Sequence, residues 1–259
     1  GFFGVKGGIF TITTGGFYRV QGPYGSFLDG NNEMGLALIM IIPLMRYLQL
    51  QAESFWFRRG LAVSMFLTGI AAIGSQSRGA LVGMITMGIF LWLKSRNKII
   101  MLLPITAIIG AVLLIMPQEW HDRMSTITAE EQDASVQGRF DAWKMAFNLA
   151  QDRVLGGGFE TFQRGAYLLY GEKTAEELTK TADAHSIYFE VMAEHGFIGL
   201  SLFLLLGWFT WNTGNRIRKQ ARQSLEARWS ADLASMTQVS LIGYAGTGAF
   251  LGLAYFDLY

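Results

Sequence analysis

"TADAHSIYFEVMAEHGFIGLSLFLLLGWF", residues 181–209, decides how the chain is read. Its second half is an apolar run of membrane-spanning character, and its polar first half places His185 a few residues before that run. The 259 residues contain three histidines, so the position of this one poses a choice between a satisfied structural side chain and a working group. Residues taken alone favour the structural choice.

Working outward, 51% of the residues are apolar and only 16% are charged, against about 25% charged in an average soluble domain. That shortfall predicts a membrane protein, while the modest mean hydropathy requires a large polar part as well. The absence of cysteine excludes disulfide and thiol chemistry. A net charge of +1 argues against a nucleic-acid partner. The N-terminal "GFFGVKGGIF" has neither an initiator Met nor the layout of a signal peptide, and "LGLAYFDLY" stops within or just after an apolar helix. Both ends read as cut from a longer chain, with further spans expected on the N-terminal side.

Segments approaching the roughly 20 apolar residues that cross a bilayer lie at about 33–50, 60–76, 79–94, 99–116, 190–211 and 236–256. The expected fold class is all-α, a polytopic membrane bundle of about six spans forming one domain over residues 1–259. The second and third segments meet at "GSQSRGA" (74–80) and read as a tight helical hairpin, with Gly69, Gly74, Gly79 and Gly83 allowing close packing. Lys and Arg set the orientation. Arg46, Arg58 and Arg59 fall in one short loop, Lys94, Arg96 and Lys98 in the next, and Arg216, Arg218, Lys219, Arg222 and Arg228 in a third. Six alternating spans put all three loops on one side, the cytoplasmic side by the positive-inside rule.

The opposite side then holds residues 1–32, the Ser75–Arg78 turn and a polar loop over about 117–188. That loop is acid-rich ("TAEEQDAS", "GEKTAEEL"), and in "GRFDAWKMAFNLAQDRV" (138–154) Phe140, Trp143, Phe147, Ala150 and Val154 recur at helical spacing. "GGG" at 156–158 reads as a flexible stop to that helix.

Arg78 is the first candidate for chemistry. An arginine near a membrane boundary is costly unless it snorkels, pairs or lines a wet cavity. It is therefore either an interfacial residue bound to headgroups or a fixed anion site, for which the planar guanidinium suits phosphate. Arg139 follows Gly138 at the expected start of a helix, where the dipole also favours an anion; the alternative is a solvated partner for Asp141. Arg19 lies in a Gly-rich, turn-prone stretch where a single arginine often has no role, and Asp29, Asn31 and Asn32 there serve as caps for the span that follows. Asp183 is expected to cap a helix starting near His185, putting His185, Tyr188, Phe189 and Met192 on one face and Glu194 away from it. His121 and His195 read as structural. There is no H-E-x-x-H, paired Cys or D-x-D, so no metal site has sequence support. "GGG" is not a P-loop, and the serines near Arg78 form no G-x-S-x-G elbow.

"GSQSRGALVG" after a span, "GRFDAWKMAFNLAQDRVLGGGFETF" in a large loop and "AHSIYFEVMAEHGFIGL" leading into the next span resemble the O-antigen ligase and polymerase superfamily. The stretch "KGGIFTITTGGFYRVQGPYGSFLDGNNEMG" (6–35) is similar to O-glycosylation ligases associated with exosortase systems. The resemblance spans roughly residues 5–211. It implies a multi-pass enzyme of the bacterial inner membrane whose site faces the periplasm, so that residues 1–32 and 117–188 would be periplasmic. Such enzymes move a glycan from undecaprenyl diphosphate to a lipid, polysaccharide or protein acceptor, and the ligase branch is metal-independent, with no cofactor. By resemblance His185 matches the family's loop histidine and Arg78, Arg139 and Arg19 its arginines. Ligase and polymerase both remain open at this point, as does a scaffold. A transporter would place charges at mid-membrane, and these spans are nearly free of them.

Overall fold

A computed structural model describes residues 1–94, 106, 110, 118, 134–174, 178, 181–221 and 226–255, with the side chains of 134–136 excluded. Its helices are α1 (Phe2–Thr13), α2 (Asn31–Gln51), α3 (Phe55–Gly74), α4 (Arg78–Lys94), α5 (Ala134–Asp152), α6 (Arg164–Tyr170), α7 (Ile187–Ala221) and α8 (Arg228–Gly248). No strand occurs among the described residues. The chain divides into two compact units, one of residues 1–127 and 211–247, the other of residues 128–210 and 248–259.

Among the described residues three helices, α2, α3 and α7, are long and apolar enough to cross a membrane. The expected count of about six spans is not matched among the described residues. With 17 residues, α4 is about 25 Å long, short of a bilayer core of about 30 Å. The expected span at 99–116 lies outside the described residues, as does His121. The segment read as a span over 236–256 is instead α8, which starts at Arg228 and ends at Gly248, followed by a non-helical strap.

Where α3 and α4 pack, several of the buried positions are small while large side chains on the same helices face outward. Ala71, Ala72 and Ala80 are buried, whereas Val63, Phe66, Ile85, Ile89 and Leu93 face outward. That is the pattern of helices that meet through small residues and present large ones to lipid. Helix α1 is an element the apolar windows leave out, because 12 residues are too few for a span and its glycines read as loop. Those glycines are its packing face. Gly4 abuts Thr68, Gly7 meets Val20 and Ala71, and a β-carbon on Gly8 would run into the Leu67 carbonyl. Contacts advance together, from Gly4–Thr68 to Thr11–Gly74, so α1 runs parallel to α3.

The hairpin expected at 74–80 is present. Ser77 caps α4 by accepting from the Ala80 N–H at 3.2 Å, and Asn31 at the start of α2 donates to the Ser75 carbonyl at 2.8 Å. Asp29 does not cap α2. It accepts from the Gly25 N–H at 3.1 Å, and Gly30 is the N-cap. At the other end of these helices Gln51 of α2 donates to Asp232 of α8 at 3.1 Å, and Lys94 lies over the Phe90 and Trp211 rings. The cluster Arg46, Arg58, Lys94 and Arg228 thus gathers at the end opposite Arg78, the segregation that the positive-inside rule reads.

The second unit is built on α5. The face predicted from Phe140, Trp143, Phe147, Ala150 and Val154 is corrected: the buried residues are Ala142, Met145, Ala146, Leu149 and Ala150, with Phe140 and Phe147 exposed and Val154 beyond the helix end. Small and flexible side chains let α5 lie close to its neighbours. Helix α7 is broken at Gly196, whose φ is 64° and ψ −165°. The break deprives the Ala193 and Glu194 carbonyls of their usual helical donors. Gly157 and Gly158 take their place, donating to Ala193 and Glu194 at 2.9 Å each. So "GGG" is no flexible stop. It is a clasp, and it needs glycine because Gly156 and Gly158 have φ of 77° and 89° and a β-carbon on Gly156 would come 2.5 Å from the Glu194 backbone.

Candidate functional site

Two of the four candidate residues lie in each unit. In the first unit Arg78 is the first residue of α4, immediately after the capping Ser77, and is half-buried. The exposed Arg19 precedes Val20, whose N–H donates to the Gly74 carbonyl at 2.9 Å. Gln76 donates back to the Gly16 carbonyl at 2.9 Å. The backbone stretch bearing Arg19 is therefore stitched to the α3–α4 turn that presents Arg78. Two guanidinium-bearing residues near the amino end of a helix make a setting for an anion, because the helix dipole adds to the cationic charge.

In the second unit Arg139 is not at a helix start. Helix α5 begins at Ala134, more than a turn earlier, so the argument from the helix dipole does not apply to it. Gly138 lets the non-helical segment 181–186 come close: a β-carbon there would lie 3.2 Å from the Ala182 β-carbon. Trp143, one turn beyond Arg139, donates its Nε1–H to the Ala184 carbonyl at 2.7 Å. Its ring stacks on Phe189 with centroids 4.7 Å apart and planes 5° from parallel. Tyr167 donates its hydroxyl to the Ala182 carbonyl, and burial pushes that phenol up to about 12. The polypeptide leading to His185 is thus held by the same helix that carries Arg139.

His185 itself is not helical, which corrects the expected face with Tyr188, Phe189 and Met192. Helix α7 begins at Ile187, and Ser186 stands at its cap, accepting from the Glu190 N–H at 2.9 Å. His185 has φ of 44°, in the left-handed region that costs a non-glycine residue about 1–2 kcal/mol. Its neighbours Ala184 and Ser186 are each 1% exposed, while His185 is half-exposed. A strained residue between two buried ones is held by its surroundings.

Across from this turn are residues that sequence reasoning missed. Glu190 and Glu194, one turn apart on α7, both reach the strap after α8. Glu190 Oε2 accepts from the Ala254 N–H at 3.1 Å. Glu194 accepts from the Tyr255 hydroxyl and from the Glu160 N–H at 3.0 Å. Two carboxylates four apart in an apolar stretch were the available signal. His195 is packed edge-on between Phe159 and Tyr255, with centroids 5.0 and 5.9 Å away, a structural setting. Among the described residues no group of three or more His, Asp or Glu side chains is placed to hold a metal.

A sequence model of the O-antigen ligase family matches residues 63–204, more than half of the chain, including Arg78, Arg139 and His185. The chain belongs to the O-antigen ligase family. No curated protein and no solved structure matches it. Membership makes this a membrane protein of ligase or glycosyltransferase type, and the apolar exteriors of the described helices agree with that setting. The break in α7 superficially resembles the interrupted helices of transporters. Its freed carbonyls, however, are taken by Gly157 and Gly158 and are not offered to a ligand.

Proposed function

We propose that the chain transfers a glycan from undecaprenyl diphosphate to an acceptor hydroxyl at the periplasmic face of the bacterial inner membrane. His185 removes the proton from the acceptor hydroxyl, whose oxygen attacks the anomeric carbon. The bond from that carbon to the diphosphate oxygen breaks, and the diphosphate leaves with the electron pair. Arg78 and Arg139, with Arg19 as a third contact, neutralise the charge that builds on it, the electrostatic effect that is usually the largest single contribution to such catalysis. With arginines supplying that charge, and a good leaving group already present, no metal is required. The acceptor is a lipid, polysaccharide or protein hydroxyl; the likeness of residues 6–35 to exosortase-associated enzymes adds protein to the classes worth assaying.

One observation carries the reading: His185 is held in a left-handed conformation, between buried neighbours, by a helix that also bears Arg139. An imidazole, with an ordinary pKa of about 6.5, is suited to proton abstraction near neutrality. The test is glycan transfer in cells lacking the native copy. His185→Ala and Arg78→Ala should each abolish product while the protein still accumulates in the membrane. Arg78→Lys should restore little, because a lysine lacks the bidentate fork. Normal product from His185→Ala would remove the general-base assignment.

A further inference from the structure

The strap that follows α8 carries Gly252 past the His185 turn. Leu251 and Ala254 are buried, 1% and 3% exposed, and seat the strap, whereas Gly252 between them is half-exposed. Its backbone is pinned on one side by Glu190, through the Ala254 N–H at 3.1 Å, and beyond it by Glu194 through the Tyr255 hydroxyl. At the base of the strap, a β-carbon on Gly248 would come 2.5 Å from Ile187 Cδ1, so the strap leaves α8 in contact with the first turn of α7. A β-carbon on Gly252 would stand 3.4 Å from Glu190 Oε2 and 3.8 Å from His185 Cα, ordinary contact distances.

Three facts combine. The strap passes beside the His185 turn, two carboxylates hold it there, and Gly252, whose β-carbon position faces both Glu190 and His185, has no side chain. We propose that the strap is a wall of the acceptor side of the site, and that Gly252 is a specificity-determining position whose missing side chain leaves the opening through which the acceptor hydroxyl reaches His185. Glu190 and Glu194 are positioning residues in this arrangement. Neither contacts the reacting atoms; both hold the strap at its distance from His185. The inference rests on the assignment of His185 as base.

Residues 1–259 contain no cysteine, so one introduced at 252 is the sole thiol among them and supplies a test. Gly252 does not have a positive φ and a first side-chain atom fits, so Gly252→Cys should accumulate in the membrane as the parent does, and its own unmodified transfer rate is the baseline for the labelled forms. Methylthiolation should leave most of that activity. A bulky aromatic methanethiosulfonate should lower it at least about tenfold, the scale expected when a reacting hydroxyl is kept from its base, and dithiothreitol should restore it. Restoration separates a blocked opening from a misfolded chain. Gly165→Cys, exposed on α6 with open space around it, should be modified by the same reagent without loss.

His185→Ala is run beside them. If it is inactive and the fully modified Gly252→Cys transfers normally, the strap assignment is wrong and the base assignment stands. If His185→Ala is active, the base assignment fails, and the strap inference falls with it. Loss in modified Gly165→Cys equal to that in Gly252→Cys would also overturn the inference.

Discussion

Trp143→Phe isolates the contact that holds His185 in place. The substitution removes the Nε1–H donor to the Ala184 carbonyl, a bond of 2.7 Å, and keeps an aromatic ring against Phe189, whose stacked centroid is 4.7 Å away. Ala184 is 1% exposed, so water cannot replace the lost donor. An orphaned buried carbonyl costs about 1–3 kcal/mol. The left-handed turn at His185 costs about 1–2 kcal/mol, which the surrounding contacts must offset. The two quantities are of the same size, so losing the bond lets the turn relax toward ordinary φ. A shift of 1–2 kcal/mol in that balance lowers the ratio of correctly placed to displaced His185 by about 5- to 30-fold. Glycan product per unit of membrane-inserted protein, in cells lacking the native copy, should fall more than twofold and by no more than about 30-fold, while protein level changes little. Product from Trp143→Phe within twofold of the parent, at equal protein level, would refute the claim that this hydrogen bond positions the histidine.

Other changes test the parts around it. Gly196→Ala forces a side chain into the left-handed region and against the Val154 carbonyl; it should destabilise the second unit by about 2 kcal/mol or more, seen as a lower unfolding temperature in detergent. Gly8→Val should displace α1, since its β-carbon meets the Leu67 backbone, and should expose residues 2–13 to protease in otherwise folded protein. Tyr167 has its phenol raised from the ordinary 10.0 to about 12, so the folded state holds the proton more tightly than the unfolded chain. The stability this contributes is intact below pH 10 and is lost as pH rises through about 12. A pH-stability profile of Tyr167→Phe should therefore be flatter than that of the parent over that interval.

Much of the first unit was legible because lipid imposes a strong pattern. Apolar runs located α2, α3 and α4, and the turn "GSQSRGA" fell where expected, with Arg78 at its edge. Helix α1 was hidden because its glycines, which look like loop residues in a window, are a packing face only once Thr68 and Leu67 stand opposite. In the second unit α5 was visible by period, but its buried stripe was misread because large aromatics outweigh alanines in a hydrophobic count. The left-handed His185 was out of reach, since the chain beside it is held by contacts distant in sequence, such as Trp143 to the Ala184 carbonyl 41 residues later. For the same reason "GGG" looked flexible: its partners, the carbonyls freed at Gly196, are nearly 40 residues away.

The most direct measurement uses the strain at His185. Glycine adopts φ of 44° without penalty, so His185→Gly should keep the turn and remove only the imidazole. The rate of glycan transfer by this variant, measured with and without added imidazole, tests the base itself. The predicted result is loss of transfer that free imidazole partly restores, in proportion to its unprotonated form. Transfer by His185→Gly at the parent rate without imidazole would contradict the account.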